Sequence, residues 1–258
     1  MRRVNVPAQV KVLLQTIGRI ADQRGMSAYA VGGCIRDWLV GVTRTVDLDV
    51  TVEGNGVEVV RAAAGTLNGT VTIHQQFGTA TVVLERTGGR GQIRVDVATC
   101  RRETYAKPAA YPRISPGTLE DDLFRRDFTI NAMAVAIAPG RFGALIDPFG
   151  GARDLQARML RVLHARSFLD DPSRILRGIR FAQRFGLQWE RSTEAAVLHA
   201  LAAGALGWLN RGRLEKELNR MIEGEPDPRA CLLQLAALLS VAMDHRSRGA
   251  HGGRRTPG

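Results

Sequence analysis

The chain has 258 residues, which at roughly 150 residues per domain makes one to two domains, enough to bury a core without help from disulfides. Hydrophobic residues make up 45% and charged residues 24%, the balance of a globular chain, which excludes the disordered and fibrous classes. Lys plus Arg number 36 against 25 Asp plus Glu, and this formal charge of +11 draws polyanions, nucleic acid above all, unless it belongs only to a basic solvated surface.

The charged N-terminal run MRRVNVPAQVKVLLQ is unlike a secretory signal, and no stretch approaches the ~18 uncharged apolar residues that span a bilayer. Pro7 opens a helical pattern over 7–24, with Val10, Leu13, Leu14, Ile17 and Ala21 on one face. Residues 28–31 read as a buried strand stopping at Gly32-Gly33, and 34–40 as a short helix ended by Gly41. Residues 47–53 alternate with period two, as a half-buried strand does, and 56–67 read as a helix. Strands are expected at 70–75, 79–85 and 92–98, then a long loop over 101–118 carrying Pro108, Pro112 and Pro116. From Leu119 the pattern turns helical, apart from a small hairpin at 134–137 and 144–146 that leads into the turn DPFGG. Residues 166–242 have helical periodicity almost throughout, and from Asp244 the Arg/Gly/Pro tail is expected to be disordered. Cys34, Cys100 and Cys231 form neither a disulfide framework nor a zinc spacing, which points to a reduced, cytoplasmic protein.

Two carboxylates, Asp47 and Asp49, share one face of a strand while Leu48, Val50 and Val52 take the other. Held together they repel, and a hard cation such as magnesium between them, with substrate phosphates completing its shell, would relieve the cost. Before them, VGGCIRDWLVG puts two glycines between a strand and a helix, where a backbone approaches phosphates closely. Arg36 either reaches those phosphates or pairs with Asp37. The spacing is not that of a dinucleotide-binding fingerprint.

These residues resemble a known family. Gly-Gly-x-x-Arg-Asp at 32–37, with Asp-x-Asp about ten residues on, is similar to the head of the polymerase-β-like nucleotidyltransferases. More narrowly it resembles the class II CCA-adding tRNA nucleotidyltransferases and bacterial poly(A) polymerases. Arg125-Arg126-Asp127-Phe128-Thr129-Ile130-Asn131-Ala132, the turn Asp147-Pro148-Phe149-Gly150-Gly151, and DPSRILRGIRF at 171–181 follow in the family's order. The likeness spans about residues 25–225. It implies an α/β (α+β) nucleotidyltransferase head with a mixed antiparallel sheet over 1–147, an all-α neck over 148–243, and the basic tail over 244–258.

The resemblance implies that Asp47 and Asp49 bind Mg2+ and that an RNA 3′-hydroxyl attacks the α-phosphate of CTP or ATP, expelling pyrophosphate. Asp96 is a candidate third carboxylate, with Glu120, Asp121 and Asp122 as rivals. Gly33, Arg36 and Arg126 correspond to triphosphate contacts. Asp127 and Asn131, four apart, either orient Arg126 or the ribose or serve as a cap. Arg174, Arg177, Arg180 and Arg184 fall within about 120° on one helix face, which needs a polyanion or carboxylates to offset it. Of these, Arg174, Arg177 and Arg180 are expected to touch the nucleotide.

Asp171 and Arg174 match the family's base-reading positions. A carboxylate accepting from an amino group beside a guanidinium donating to a ring nitrogen fits cytosine and adenine and mismatches guanine and uracil. Asp171 could equally cap the helix before Pro172. The loop 101–118 lies where the family has a segment implicated in the change from C to A addition, and HQQFGTATVV at 74–83 resembles the tRNA-modifying branch more than the poly(A) branch. Full-length relatives continue through helical body and tail domains that grip tRNA. The expected function is C and/or A addition to a tRNA 3′ end. Poly(A) synthesis and a truncated, non-catalytic RNA-binding paralogue are the alternatives.

Overall fold

The computed structural model describes residues 2–44, 47–67, 69–75, 78–85 and 91–251. By packing the chain divides into two units, Met1–Glu103 with Ile114–Arg153, and Thr104–Arg113 with Asp154–Gly258.

The first unit opens with helix α1 (Ala8–Asp22), which buries Val10, Leu14, Ile17 and Ala21. Gly18 lies so close to the Ile137 carbonyl that a Cβ there would collide with it, so α1 seats directly on backbone. Strand β1 (Ser27–Val31) leads through Gly32 into α2 (Gly33–Leu39), followed by β2 (Asp47–Glu53) and α3 (Gly56–Leu67). Then come β3 (Thr70–His74), β4 (Thr79–Glu85), β5 (Gln92–Thr99), β6 (Arg101–Thr104), β7 (Arg113–Pro116) and α4 (Leu119–Phe124). A 3-10 turn over Thr129–Asn131, β8 (Ala134–Ala136), β9 (Leu145–Ile146) and α5 (Gly151–Gln156) reach the boundary.

Seven strands form one sheet in the order β3-β4-β5-β2-β1-β8-β9, antiparallel throughout except for β2 beside β5. This is the expected mixed sheet. Leu48, Val50 and Val52 of β2, Val95 and Val97 of β5, and Ala80 and Val82 of β4 join the apolar faces of α1 and α3 in one core. The period-two pattern therefore puts Asp47, Asp49, Arg94 and Asp96 on the opposite face of the sheet.

The second unit contains β10 (Met159–Leu160), α6 (Ser167–Asp170), α7 (Ser173–Phe185), β11 (Gln188–Trp189), α8 (Arg191–Ala202), α9 (Arg211–Gly224) and α10 (Pro228–His251). Helix α7 buries Ile175, Leu176, Ile179 and Ala182 and ends at Gly186, whose left-handed backbone closes the cap. Among the described residues no helix is long and apolar enough to cross a membrane.

Three expectations are corrected. The loop over 101–118 contains β6 and β7 paired as a separate two-stranded sheet. The ribbon is held by Glu103, which accepts from Arg101 and Arg125, a long-range tie that periodicity does not register. The helical stretch over 166–242 is interrupted by β11, which pairs in parallel with β10, two-residue strands too short to leave a period. Finally, α10 runs on to His251 past the expected onset of disorder at Asp244, because adding residues to a formed helix costs little and 244–251 contain no proline and a single glycine, Gly249. Residues 252–258 lie outside the described residues.

Candidate active site

Asp47 and Asp49 both stand exposed on β2 while Leu48 and Val50 between and beyond them are buried. The parallel register of β2 and β5 sets Asp47 beside Arg94 and Asp49 beside Asp96. Asp96 is turned toward its own neighbours. Its Oδ1 accepts from Thr81 Oγ1 at 2.6 Å and from Arg94 Nη2 at 3.1 Å, and its Oδ2 accepts from Arg94 Nε at 3.0 Å. Among the described residues no three His, Cys, Asp or Glu side chains are gathered into a metal-binding group.

The turn from β1 into α2 lies against this face. Gly32 has φ 82° and ψ −140°, a conformation that only glycine adopts readily. A Cβ on Gly32 would lie 2.6 Å from Arg126 Nη1 and 3.5 Å from Asp49 Oδ2, so the turn, the guanidinium and the carboxylate converge on one spot. Gly33, the expected phosphate contact, begins α2 with the Arg36 guanidinium folded against it. Of the two adjacent glycines, which look alike in the sequence, Gly32 is the one with the unusual backbone.

Arg126 follows α4, whose N-terminus is closed by a capping box between Thr118 and Asp121. Its Nη2 donates to Asp122 Oδ2 at 3.2 Å, while its Nε is buried without a hydrogen-bond partner. An orphaned donor of this kind is what a missing acceptor leaves behind. Desolvation by the groups around it raises the Asp49 pKa from its ordinary value; Arg126 opposes that rise, and Asp96 and Asp47 reinforce it. Of the rival acids on α4, Glu120 is exposed, while Asp121 and Asp122 are engaged. Asp121 is held down to about 2 by hydrogen bonds from Arg102 and Thr118, and Asp122 is fully buried between Arg125 and Arg126.

Arg36 is buried. Its Nε and Nη2 donate to Asp37 Oδ1 at 2.9 and 2.8 Å, and its Nη1 to Asn131 Oδ1 at 2.7 Å. Asn131 in turn donates to Asp127 Oδ1 at 3.0 Å. The pair Asp127–Asn131 therefore helps to steady Arg36.

In the second unit, Asp171 precedes α7 and its Oδ1 accepts from Ser173 N at 3.0 Å, Ser173 Oγ at 2.6 Å and Arg213 Nη2 at 2.6 Å. The Arg213 guanidinium lies 5.8 Å from the centre of the Tyr111 ring, and the Tyr111 hydroxyl accepts from Asn210 Nδ2. Arg174 is buried, with Nη1 donating to Ser167 Oγ at 2.7 Å. Arg177 rests 5.5 Å from the centre of the Phe181 ring. Arg180 is engaged by carboxylates: Nε donates to Glu225 at 2.7 Å and Nη1 to Glu217 at 3.1 Å. Arg184 donates to the same Glu225. The arginine face is thus offset over its lower half by acids that the sequence reading did not single out, as it also passed over Arg213.

A family model, the Poly A polymerase head domain, matches residues 28–161. The chain belongs to this family. Its relatives include the A-adding tRNA nucleotidyltransferase of Geobacter sulfurreducens, 39% identical over 234 residues, which covers 91% of this chain and 26% of that protein. The CC-adding tRNA nucleotidyltransferase of Deinococcus radiodurans is 40% identical over 201 residues, 77% of this chain and 50% of that one. Among solved structures, an apo form of a CCA-adding enzyme superposes with a TM-score of 0.84 at 40% identity, covering 92% of this chain and 57% of that chain. The chain spans a quarter to a half of the length of these two curated relatives.

Proposed function

We propose that the chain is the catalytic portion of a tRNA nucleotidyltransferase, transferring CMP and/or AMP from CTP or ATP to a tRNA 3′ end with release of pyrophosphate. The observation that carries this is the convergence of Asp49, the Gly32 turn and the Arg126 guanidinium. The relatives' names, which cover both A and CC addition, support the substrate assignment.

The exposed carboxylates on one strand face suit a divalent cation, while the glycine turn and the unpaired Arg126 N–H beside them suit the phosphates such a cation would carry. Asp47 and Asp49 would hold magnesium, with Asp96 as the third carboxylate. When bound, the metal lowers the pKa of the attacking hydroxyl and neutralises phosphate charge. The protein's own groups position. Arg126 directs its unpaired Nε–H and its Nη1 toward phosphate oxygens, and the Gly32 backbone lets them approach. Arg36 is fixed in place by Asp37 and Asn131 so that its charge stands at the same turn. Asp171 accepts from the amino group of cytosine or adenine, and Arg174 donates to the ring nitrogen. With Asp171 Oδ1 saturated by Ser173 and Arg213, its second oxygen is the one offered to the base. Arg177 adds charge on the same helix face. The protein works in the cytoplasm.

The test is to incubate the chain with magnesium, each nucleoside triphosphate singly, and tRNA lacking its 3′ end. Addition of C, of A, or of both that stops within three nucleotides supports the proposal. Unlimited extension with ATP alone selects poly(A) synthesis, and RNA binding without incorporation selects the non-catalytic reading.

A further inference from the structure

The carboxylate face of β2 and β5 contains one cation of its own. Arg94 is the register partner of Asp47 and sits two residues before Asp96 on the same face of β5. Its guanidinium contacts both Asp96 oxygens, through Nε at 3.0 and 3.2 Å and through Nη2 at 3.1 Å. The pair is open to water, with side chains 55% and 41% exposed, so no packing obliges it to form. Three acids of one sign, Asp47, Asp49 and Asp96, lie on adjacent strands around it.

We propose that Arg94 is a resident counter-cation, occupying Asp96 until a divalent cation arrives and displacing from it as the cation binds. This rests on reading the face as the metal site. Without a cation, three carboxylates on neighbouring strands repel one another, and a guanidinium among them relieves that repulsion. With a dication present, the same guanidinium competes for Asp96 and repels the incoming charge. Both effects act in one direction on affinity: Arg94 weakens cation binding and so makes loading and release of the metal easier to reverse. Thr81 stays with Asp96 in either state, since its hydroxyl is neutral and donates to Oδ1 only. The arrangement also accounts for the way Asp96 is turned: its two oxygens are engaged by Arg94 and Thr81 along the sheet.

The measurement is the dissociation constant of Mn2+, read from the electron paramagnetic resonance signal of free Mn2+ during titration, with no nucleotide present. Arg94→Ala and Arg94→Gln should both tighten binding by about three- to tenfold, the range expected for removing one partly screened positive charge from beside a dication. The gap between wild type and either variant should shrink as salt is raised. Affinity unchanged or weakened in both variants overturns the proposal, because a positioning role for Arg94 would give that result. Asp49→Asn separates the two levels of the argument. If it abolishes binding while the Arg94 variants leave affinity unchanged, the metal face stands and the role of Arg94 falls. If Asp49→Asn binds Mn2+ like wild type, both fall.

Discussion

Arg180 offers a direct test of whether the arginine face of α7 serves the ligand or the fold. Replacing it by methionine keeps the volume and removes the charge. The side chains involved are all largely buried: Arg180 is 10% exposed, Glu217 8% and Glu225 1%. Removing one partner from a buried ion pair costs about 3–5 kcal/mol, because the remaining charge is left uncompensated. Here the remaining acids keep other partners. Glu225 still accepts from Arg184 at 2.7 Å, and Glu217 from Arg220 at 2.7 Å, so the cost should fall near the lower end, about 3 kcal/mol. At about 2–4 °C per kcal/mol, the midpoint of thermal unfolding should drop by roughly 6–12 °C. The assay is a calorimetric melt, paired with ATP affinity measured well below the transition. A melt within a degree of wild type together with a large loss of ATP affinity would refute the reasoning and return Arg180 to the nucleotide.

Two further outcomes follow from the two units separately. Gly32→Ala forces a side chain into a backbone conformation costing about 1–3 kcal/mol and pushes Arg126 aside, so nucleotide affinity should fall by more than the loss of stability explains. Equilibrium binding of ATP to folded variant, compared with its melt, checks this; equal affinity would show that the turn does not contact phosphate. Arg213→Ala removes a charge-assisted hydrogen bond that holds Asp171, worth about 1.5–3 kcal/mol, and should loosen the preference for CTP and ATP over GTP and UTP by about tenfold or more. Single-nucleotide incorporation with all four triphosphates measures it, and an unchanged preference would place Asp171 outside base reading.

The features legible in the sequence are those whose partners lie close along the chain. The alternation around Asp47 and Asp49 and the glycine pair before Arg36 each announce themselves within a few positions. The individual strands followed from apolar residues recurring every second place, and the mixed sheet from the family resemblance. What stayed hidden was paired at a distance. Arg36 meets Asn131 across 95 residues, Arg180 meets Glu225 across 45, and Arg213 meets Asp171 across 42. Periodicity shows that an arginine face needs neutralising but not by which acid. The competition of Arg94 for Asp96 depends on strand register, which spacing within either strand does not reveal. That Gly32 carries the unusual backbone was a matter of a dihedral angle that the sequence does not show.

The central claim, that Asp49 beside the glycine turn supports nucleotidyl transfer, is tested most directly by single-turnover incorporation into tRNA lacking its 3′ end, comparing wild type with Asp49→Ala. The account expects transfer by wild type, none detectable by the variant, and RNA affinity nearly the same for both, because the substitution removes one carboxylate and no basic group. Transfer by Asp49→Ala at the wild-type rate would contradict it.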